Sequence, residues 1–265
     1  CRIRTASSVK GSAMALDDRE LTVRLARDAE DIAAAQRLRY EVFVEELGGG
    51  GTLVDHENRL ECDRFDPFFD HLILTDGRRD NAVVGVYRLL RDDQAAEAGQ
   101  FYSEDEYDLA PLRATGRRLL ELGRSCLHPD YRGGSGVMRL WQGLAGYVAE
   151  HKIEILFGTA SFHGTDVQAL AHPLSLLRAR HLAPEDLRVR SRAYQPMDLL
   201  PEAEIDRRRA MLETPALIKG YLRLGGVVGD GAFVDHAFNT TDVCLLMDTA
   251  RLNAQVAGLY TRGRG

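Results

Sequence analysis

The stretch "LHPDYRGGSG", Leu127 to Gly136, decides how the rest of the chain is read. It lies between "RLLELGRSC", an apolar run with strand character, and "GVMRLWQGLAGYVAEHK", whose apolar residues recur at helical spacing. Gly133, Gly134 and Gly136 crowd one short turn. Glycine costs backbone entropy on folding, so such a cluster marks a very tight turn or a backbone that something must approach closely. A strand that runs through a glycine-rich turn into a helix N-terminus builds an anion site. Unpaired N–H groups and the helix dipole both favour phosphate there. Arg132 adds a permanent charge at the rim. The competing reading is a tight turn without a ligand. The turn is not a P-loop, because the Lys-Ser/Thr pair is missing. Its glycine spacing also differs from the dinucleotide fingerprint.

Working outward, "ELTVRLA" alternates and predicts a strand over Leu21 to Ala26. Asp28 is an N-cap for a helix reaching Leu47, and Gly48 to Gly51 end it and open a loop to Asp66. "HLILTD" and "AVVGVYRLL" predict a hairpin joined by "GRRDN". A polar stretch, Arg91 to Arg118, precedes the strand that feeds the glycine turn. After the helix, "IEILFGTA" predicts another strand. "DVQALAHPLSLLRARHL" is helical in pattern, with Pro173 expected to kink or break it. The remainder, including "ALIKGYLRLGGVVGDGAFVDHAF" and "DVCLLMD", reads as strands and turns. The fold class is therefore α/β (α+β). A mixed central sheet is flanked by helices and splays around the strand that enters the turn.

The 265 residues suit one large domain or two small ones, and 45% hydrophobic content allows a sizeable core. Residues 1–20 are expected to be a disordered or non-native N-terminal segment, with a single domain and a C-terminal extension over 21–265. A net charge of −6 argues against nucleic acid as a partner. Cys1, Cys62, Cys126 and Cys244 show no CxxC spacing, which argues against a zinc site or a disulfide scaffold and suits a reducing cytoplasm. No metal is expected. No apolar run reaches 18 residues, so no transmembrane helix is expected.

The pattern Pro-x-x-Arg-Gly-x-x-Gly after an apolar strand resembles the donor-binding turn of the GNAT superfamily of N-acetyltransferases. That resemblance implies that Leu127, Arg132, Gly133, Gly134 and Gly136 hold the phosphate of a phosphopantetheine arm. A second set, Arg39 and Phe43 in "RYEVF", Asp63 and Asp66 in "DRFD", Arg88 in "YRLL", and Glu121 and Arg124 in "ELGR", resembles the residues that mark the acyl-homoserine-lactone synthases. Nearly the whole chain, from about Leu25 to Leu259, resembles a sister family, the ornithine N-acyltransferases. "LRYEVFVEELG", "LFGTASFHGTD" and "IKGYLRLGGVVGDGAFVDHAFNTTDVCLLMD" carry that likeness. It implies transfer of a 3-hydroxyacyl chain from acyl carrier protein to the α-amino group of L-ornithine. Other readings are an acyl-homoserine-lactone synthase, a general N-acyl amino acid synthase, and a silent acyl-carrier or lipid-binding module. No separate cofactor is expected, since phosphopantetheine enters with the donor.

Amide formation from a thioester requires the amine to lose a proton and the carbonyl to be polarised. Glu121 is the candidate base; its alternative is an ion pair with Arg124 or Arg118. Backbone N–H groups near Leu122 to Arg124 are the candidate polarisers if the strand bulges there. Asp63 and Asp66 are candidates to hold the cationic side chain, with Arg39 or Arg88 taking the substrate carboxylate. Arginines at 178, 180, 188, 190, 192 and 207 to 209 form the densest basic stretch. It reads as a dock for an acidic carrier protein, as a peripheral contact with an anionic inner membrane, or as a solvated face. Three further features are read as structural: His181 and Asp186 in "HLAPED", Cys126, and "GGVVGDG". His163 and Asp166 are either caps or site wall.

Overall fold

The structure is a computed structural model, and it describes residues 20–51, 54–132 and 135–252. Residues 1–19 of the expected loose segment lie outside the described residues. The chain begins with β1 (Leu21–Leu25) and α1 (Ala29–Arg39). The Asp28 carboxylate accepts from the N–H groups of Glu30 and Asp31, the expected cap. The helix does not stop at Arg39. It continues as a π-helix over Tyr40–Glu46, and such wider turns gather at functional sites.

The hairpin forms as β2 (Asp70–Asp76) and β3 (Ala82–Arg91). The polar stretch that follows is not irregular. It holds α2 (Asp92–Ala98), β4 (Tyr107–Asp108) and α3 (Ala110–Ala114). Next come β5 (Leu119–Leu127), α4 (Ser135–His151) and β6 (Ile155–His163). Then follow α5 (Ala171–His181), β7 (Arg190–Ser191), α6 (Arg207–Glu213) and α7 (Ala216–Arg223). The chain closes the sheet with β8 (Val227–Val228), β9 (Phe233–Asp235) and β10 (Thr240–Asp248).

Two expectations need correction here. "ALIKGYLR" is helix α7 rather than strand. Its apolar residues Leu217, Ile218, Tyr221 and Leu222 repeat every three to four positions, a helical period. Pro173 does not break its helix either. It is the third residue of α5, where the N–H needs no intrahelical partner. Asp166 stays outside that helix and accepts from the N–H groups of Gln168 and Ala169.

The main sheet runs β1-β2-β3-β5-β6-β10-β8, with β9 also on β10. Among the strand ladders of the described residues, β5 and β6 alone pair in parallel, over Leu119 to Glu121 against Ile155 to Phe157. Beyond that point the two strands part, while β6 stays paired with β10 along its length. Gly158 sits where they part; a Cβ there would lie 2.2 Å from the Leu122 carbonyl oxygen, so only glycine lets the strands meet. The splay expected from the sequence is thus present.

Side chains on a strand alternate between faces. On one face, Leu120, Leu122, Leu156, Val243 and Leu245 pack with Trp141 of α4 and Tyr221 of α7. On the other, Leu119, Phe157, Cys244 and Leu246 pack with Phe65, Phe69, Phe101 and Tyr107. Truncating a fully buried leucine such as Leu120 to alanine costs about 2–5 kcal/mol.

Candidate active site

A cavity of about 390 Å³ occupies the gap between β5 and β6 and reaches both faces of the sheet. Leu122, Leu156, Leu217, Tyr221, Leu245 and Met247 form its apolar side. Glu106, Glu121, Arg124, Asp235 and Asp242 give the other side its charge.

Glu121 is the last residue of β5 that pairs with β6, where those two strands separate. Its side chain is only 1% exposed. One carboxylate oxygen accepts from the Tyr102 N–H at 2.7 Å. The other accepts from the Ser103 N–H at 2.7 Å and from the Ser103 hydroxyl. Burial pushes its pKa up to about 7, against the downward pull of those three hydrogen bonds. Neither Arg124 nor Arg118 forms an ion pair with it among the described residues. A carboxylate poised near 7 on a cavity wall suits proton transfer.

The bulge is present. Gly123 pairs with Arg88 and Cys126 with Val86, so Arg124 and Ser125 together face Tyr87 alone. Arg124 adopts a positive φ of 47°, and a bulge leaves ladder groups unpaired. Leu122, Gly123, Arg124 and Ser125 all border the cavity.

Arg39, Asp63, Asp66 and Arg88 come together as expected, but they serve one another. Arg39 and Arg88 are both fully buried. Arg39 donates to Asp66 at 2.7 and 3.1 Å and to Glu61 at 2.5 Å. Arg88 donates to Asp63 and Asp66 at 2.7 Å each. Arg124 donates to Glu61 at 3.0 Å, so three guanidiniums face three carboxylates. Burial opposes the charged form of Asp66, but Arg39 and Arg88 outweigh it and hold its pKa well below the usual carboxylate range. None of Arg39, Asp63, Asp66 or Arg88 borders the cavity. Arg39 and the two aspartates are thus spent on one another, which speaks against the expectation that the aspartates hold a substrate cation and Arg39 its carboxylate, whereas Nε and Nη2 of Arg88 have no hydrogen-bond partner. Glu61, the third acid of this network, was missed; its neighbours in sequence give no sign that it is buried. Phe43, on the π-helix, does border the cavity.

At the opening turn, the Arg132 guanidinium holds Glu46 through two 2.5 Å contacts and donates to the Leu127 carbonyl at 2.9 Å. Gly136 is buried at the start of α4, where a Cβ would meet the Tyr131 carbonyl oxygen at 2.7 Å. Gly133 and Gly134 lie outside the described residues.

Cys126 is buried, and burial pushes its thiol up to about 12, which removes it as a nucleophile at neutral pH. His181 and Asp186 do not border the cavity, whereas His163 does. In the basic stretch, Arg178 and Arg190 meet Asp230, Arg180 and Arg207 meet Glu202, and Arg209 meets Glu213. Three carboxylates thus offset part of the charge of the eight arginines within the fold. No helix among the described residues is long and apolar enough to cross a membrane.

A mixed sheet that parts beside a buried carboxylate, with a bulge next to it, has the features expected of an acyltransferase of the acetyltransferase type. Residues 38–142 match the family model for the acetyltransferase (GNAT) domain. A solved N-acyl amino acid synthase from uncultured soil microbes superposes with a TM-score of 0.50 at 12% identity, covering 87% of this chain and 92% of that one, which supports the fold. An L-ornithine Nα-acyltransferase of Rhodobacter capsulatus is 62% identical over 92% of this chain and 96% of its own length. The Brucella abortus enzyme of the same name is 43% identical over 91% and 88%. The chain belongs to the L-ornithine Nα-acyltransferase family.

Proposed function

We propose that the chain catalyses the first acylation of ornithine lipid synthesis, moving a 3-hydroxyacyl group from acyl carrier protein to the α-amino group of L-ornithine. The observation that carries this reading is the cavity that joins an apolar face to an acidic one beside Glu121. The thioester carbonyl lies at the Leu122–Ser125 bulge, with its acyl chain on the apolar side. The α-ammonium passes a proton to Glu121, directly or through one water. The freed lone pair attacks the carbonyl carbon. The C–N bond forms, the C–S bond breaks, and the phosphopantetheine thiol leaves with a proton. Unpaired bulge amides stabilise the oxyanion. Arg124 is the only guanidinium bordering the cavity among the described residues, so it replaces Arg39 and Arg88 as partner of the ornithine carboxylate. Three of its five N–H groups are engaged, one with Glu61 and two with Tyr102, which leaves two for a substrate. No cofactor beyond the donor's own arm is required. The arginines left without an acidic partner offer contact to the acidic carrier or to an anionic inner-membrane surface.

Purified protein given 3-hydroxyacyl carrier protein with ornithine should yield the ornithine amide by mass spectrometry. S-adenosylmethionine in place of ornithine should yield no lactone; a lactone would move the chain to the autoinducer branch. Arg132→Ala should raise the KM for the carrier-bound donor about 10- to 100-fold, the range expected for losing hydrogen bonds to a phosphate. The KM for ornithine should stay nearly unchanged. A shifted ornithine KM with an unshifted donor KM would make the turn structural.

A further inference from the structure

We infer that Glu106, Asp235 and Asp242 form the seat for the side-chain ammonium of the amino-acid substrate. The inference rests on the acyl-transfer reading above and assigns specificity to residues that the sequence did not single out. One carboxylate oxygen from each residue lies within 4.8 Å of the others. Three acceptors about 2.8 Å from one tetrahedral ammonium nitrogen are about 4.6 Å apart, so the spacing admits that group. All three residues border the cavity.

The carboxylates are not used up by the fold. Glu106 is 6% exposed and Asp242 is 5% exposed, yet Oε2 of Glu106 and Oδ1 of Asp242 have no hydrogen-bond partner. An unpaired buried acceptor is costly unless a ligand completes it. Asp235 accepts through one oxygen from the N–H groups of Ala237 and Phe238. The backbone holds the set in place. The Tyr107 hydroxyl donates to the Asp242 carbonyl at 2.9 Å, and the Arg192 N–H donates to the Glu106 carbonyl at 2.8 Å. Burial first, then the neighbouring Asp242 and Asp235, raise the Glu106 pKa well above the usual carboxylate range. Burial also pushes Asp242 up to about 6, against the downward pull of the Ser161 and Thr240 hydroxyls. Arg124 pulls both down and Glu121 pushes Glu106 up, but no cation neutralises the trio among the described residues. A cationic side chain supplies the missing charge.

The test compares ornithine with norvaline, which has the same carbon chain and no terminal ammonium. Calorimetric binding without donor is measured alongside kcat/KM, so that a failure of acyl transfer is read separately from a failure of the seat. The native protein should favour ornithine about 10²-fold or more. Asp242→Asn and Glu106→Gln should each weaken ornithine about 30-fold or more while leaving norvaline within a few-fold. Both variants should melt no lower than the parent, because neither carboxylate has an ion-pair partner among the described residues whose loss would cost stability. Equal binding of ornithine and norvaline by the native protein overturns the inference. So does an equal loss of both substrates in the variants. Heat from Mg²⁺ or Ca²⁺ binding that vanishes in Asp242→Asn, with activity lost to a chelator, would make the trio a metal site instead.

Discussion

Glu121→Gln is expected to lower the acyl-transfer step about 10²–10⁴-fold at neutral pH, the usual contribution of a positioned general base. The amide cannot accept the ammonium proton. The loss should shrink as pH rises past about 8, where a free α-amine begins to deprotonate unaided. In the native protein kcat/KM should rise with pH through about 7, where Glu121 itself ionises. Glutamine also turns an N–H₂ toward donors that the carboxylate now satisfies, so a rate loss alone leaves a structural cause open. Ser103→Ala separates the two. The Ser103 hydroxyl pulls the Glu121 pKa down, so its removal should move the inflection of the pH profile to higher pH while the plateau rate survives. An unmoved inflection, or an unchanged rate in Glu121→Gln at saturating substrates, would take Glu121 out of the reaction.

The same carboxylate affects stability. Its folded pKa lies above the ordinary value of 4.5, so the folded state binds its proton more tightly than the unfolded chain. The stability this adds is full below about 4.5 and is lost as pH rises through about 7. Glu121→Gln should abolish that part of the pH dependence of Tm.

Much of the frame was legible because it rests on local periodicity. The strand Leu119–Leu127 and the helix Ser135–His151 formed as their patterns predict, and so did the hairpin. The bulge was legible as a possibility from Gly123 alone, although the residue that takes the left-handed backbone is Arg124. In α7 a 3.6-residue period lies beside the glycine-rich "GGVVGDG", and the period is what forms.

The site was legible in membership more than in pairing. Arg39, Asp63, Asp66 and Arg88 do meet, but sequence spacing does not tell which carboxylate faces a guanidinium and which faces a cavity. That is settled by burial, which seals Arg39, Arg88 and Asp66 into one network away from the cavity. Glu106 was hidden for a related reason. It sits in "SEDEYD", among acids of the same chemistry, and only Glu106 of these borders the cavity. Asp235 comes from turn-rich sequence, where aspartate is expected as a cap, and Asp242 opens the apolar strand "DVCLLMD". No local signal distinguishes a capping aspartate from one that awaits a ligand.

Asp66→Asn is expected to damage the fold rather than the choice of amine. Asp66 accepts from Arg39, Arg88 and Gln36, and asparagine must turn one N–H₂ toward those donors. The three-against-three charge balance with Glu61, Asp63 and Arg124 is then broken in a dry interior. Removing one partner from a buried ion network costs about 3–5 kcal/mol. For a chain of this size that is a fall in Tm on the order of 10 °C. The folded pKa of Asp66 lies below its ordinary value of 3.8, so the native protein's advantage is full at neutral pH and fades only as pH falls below about 4. Turnover of ornithine and of norvaline should decline together, because the aspartate touches neither. A selective loss of ornithine in Asp66→Asn, with Tm unchanged, would return the cation to this aspartate and take it away from Glu106, Asp235 and Asp242.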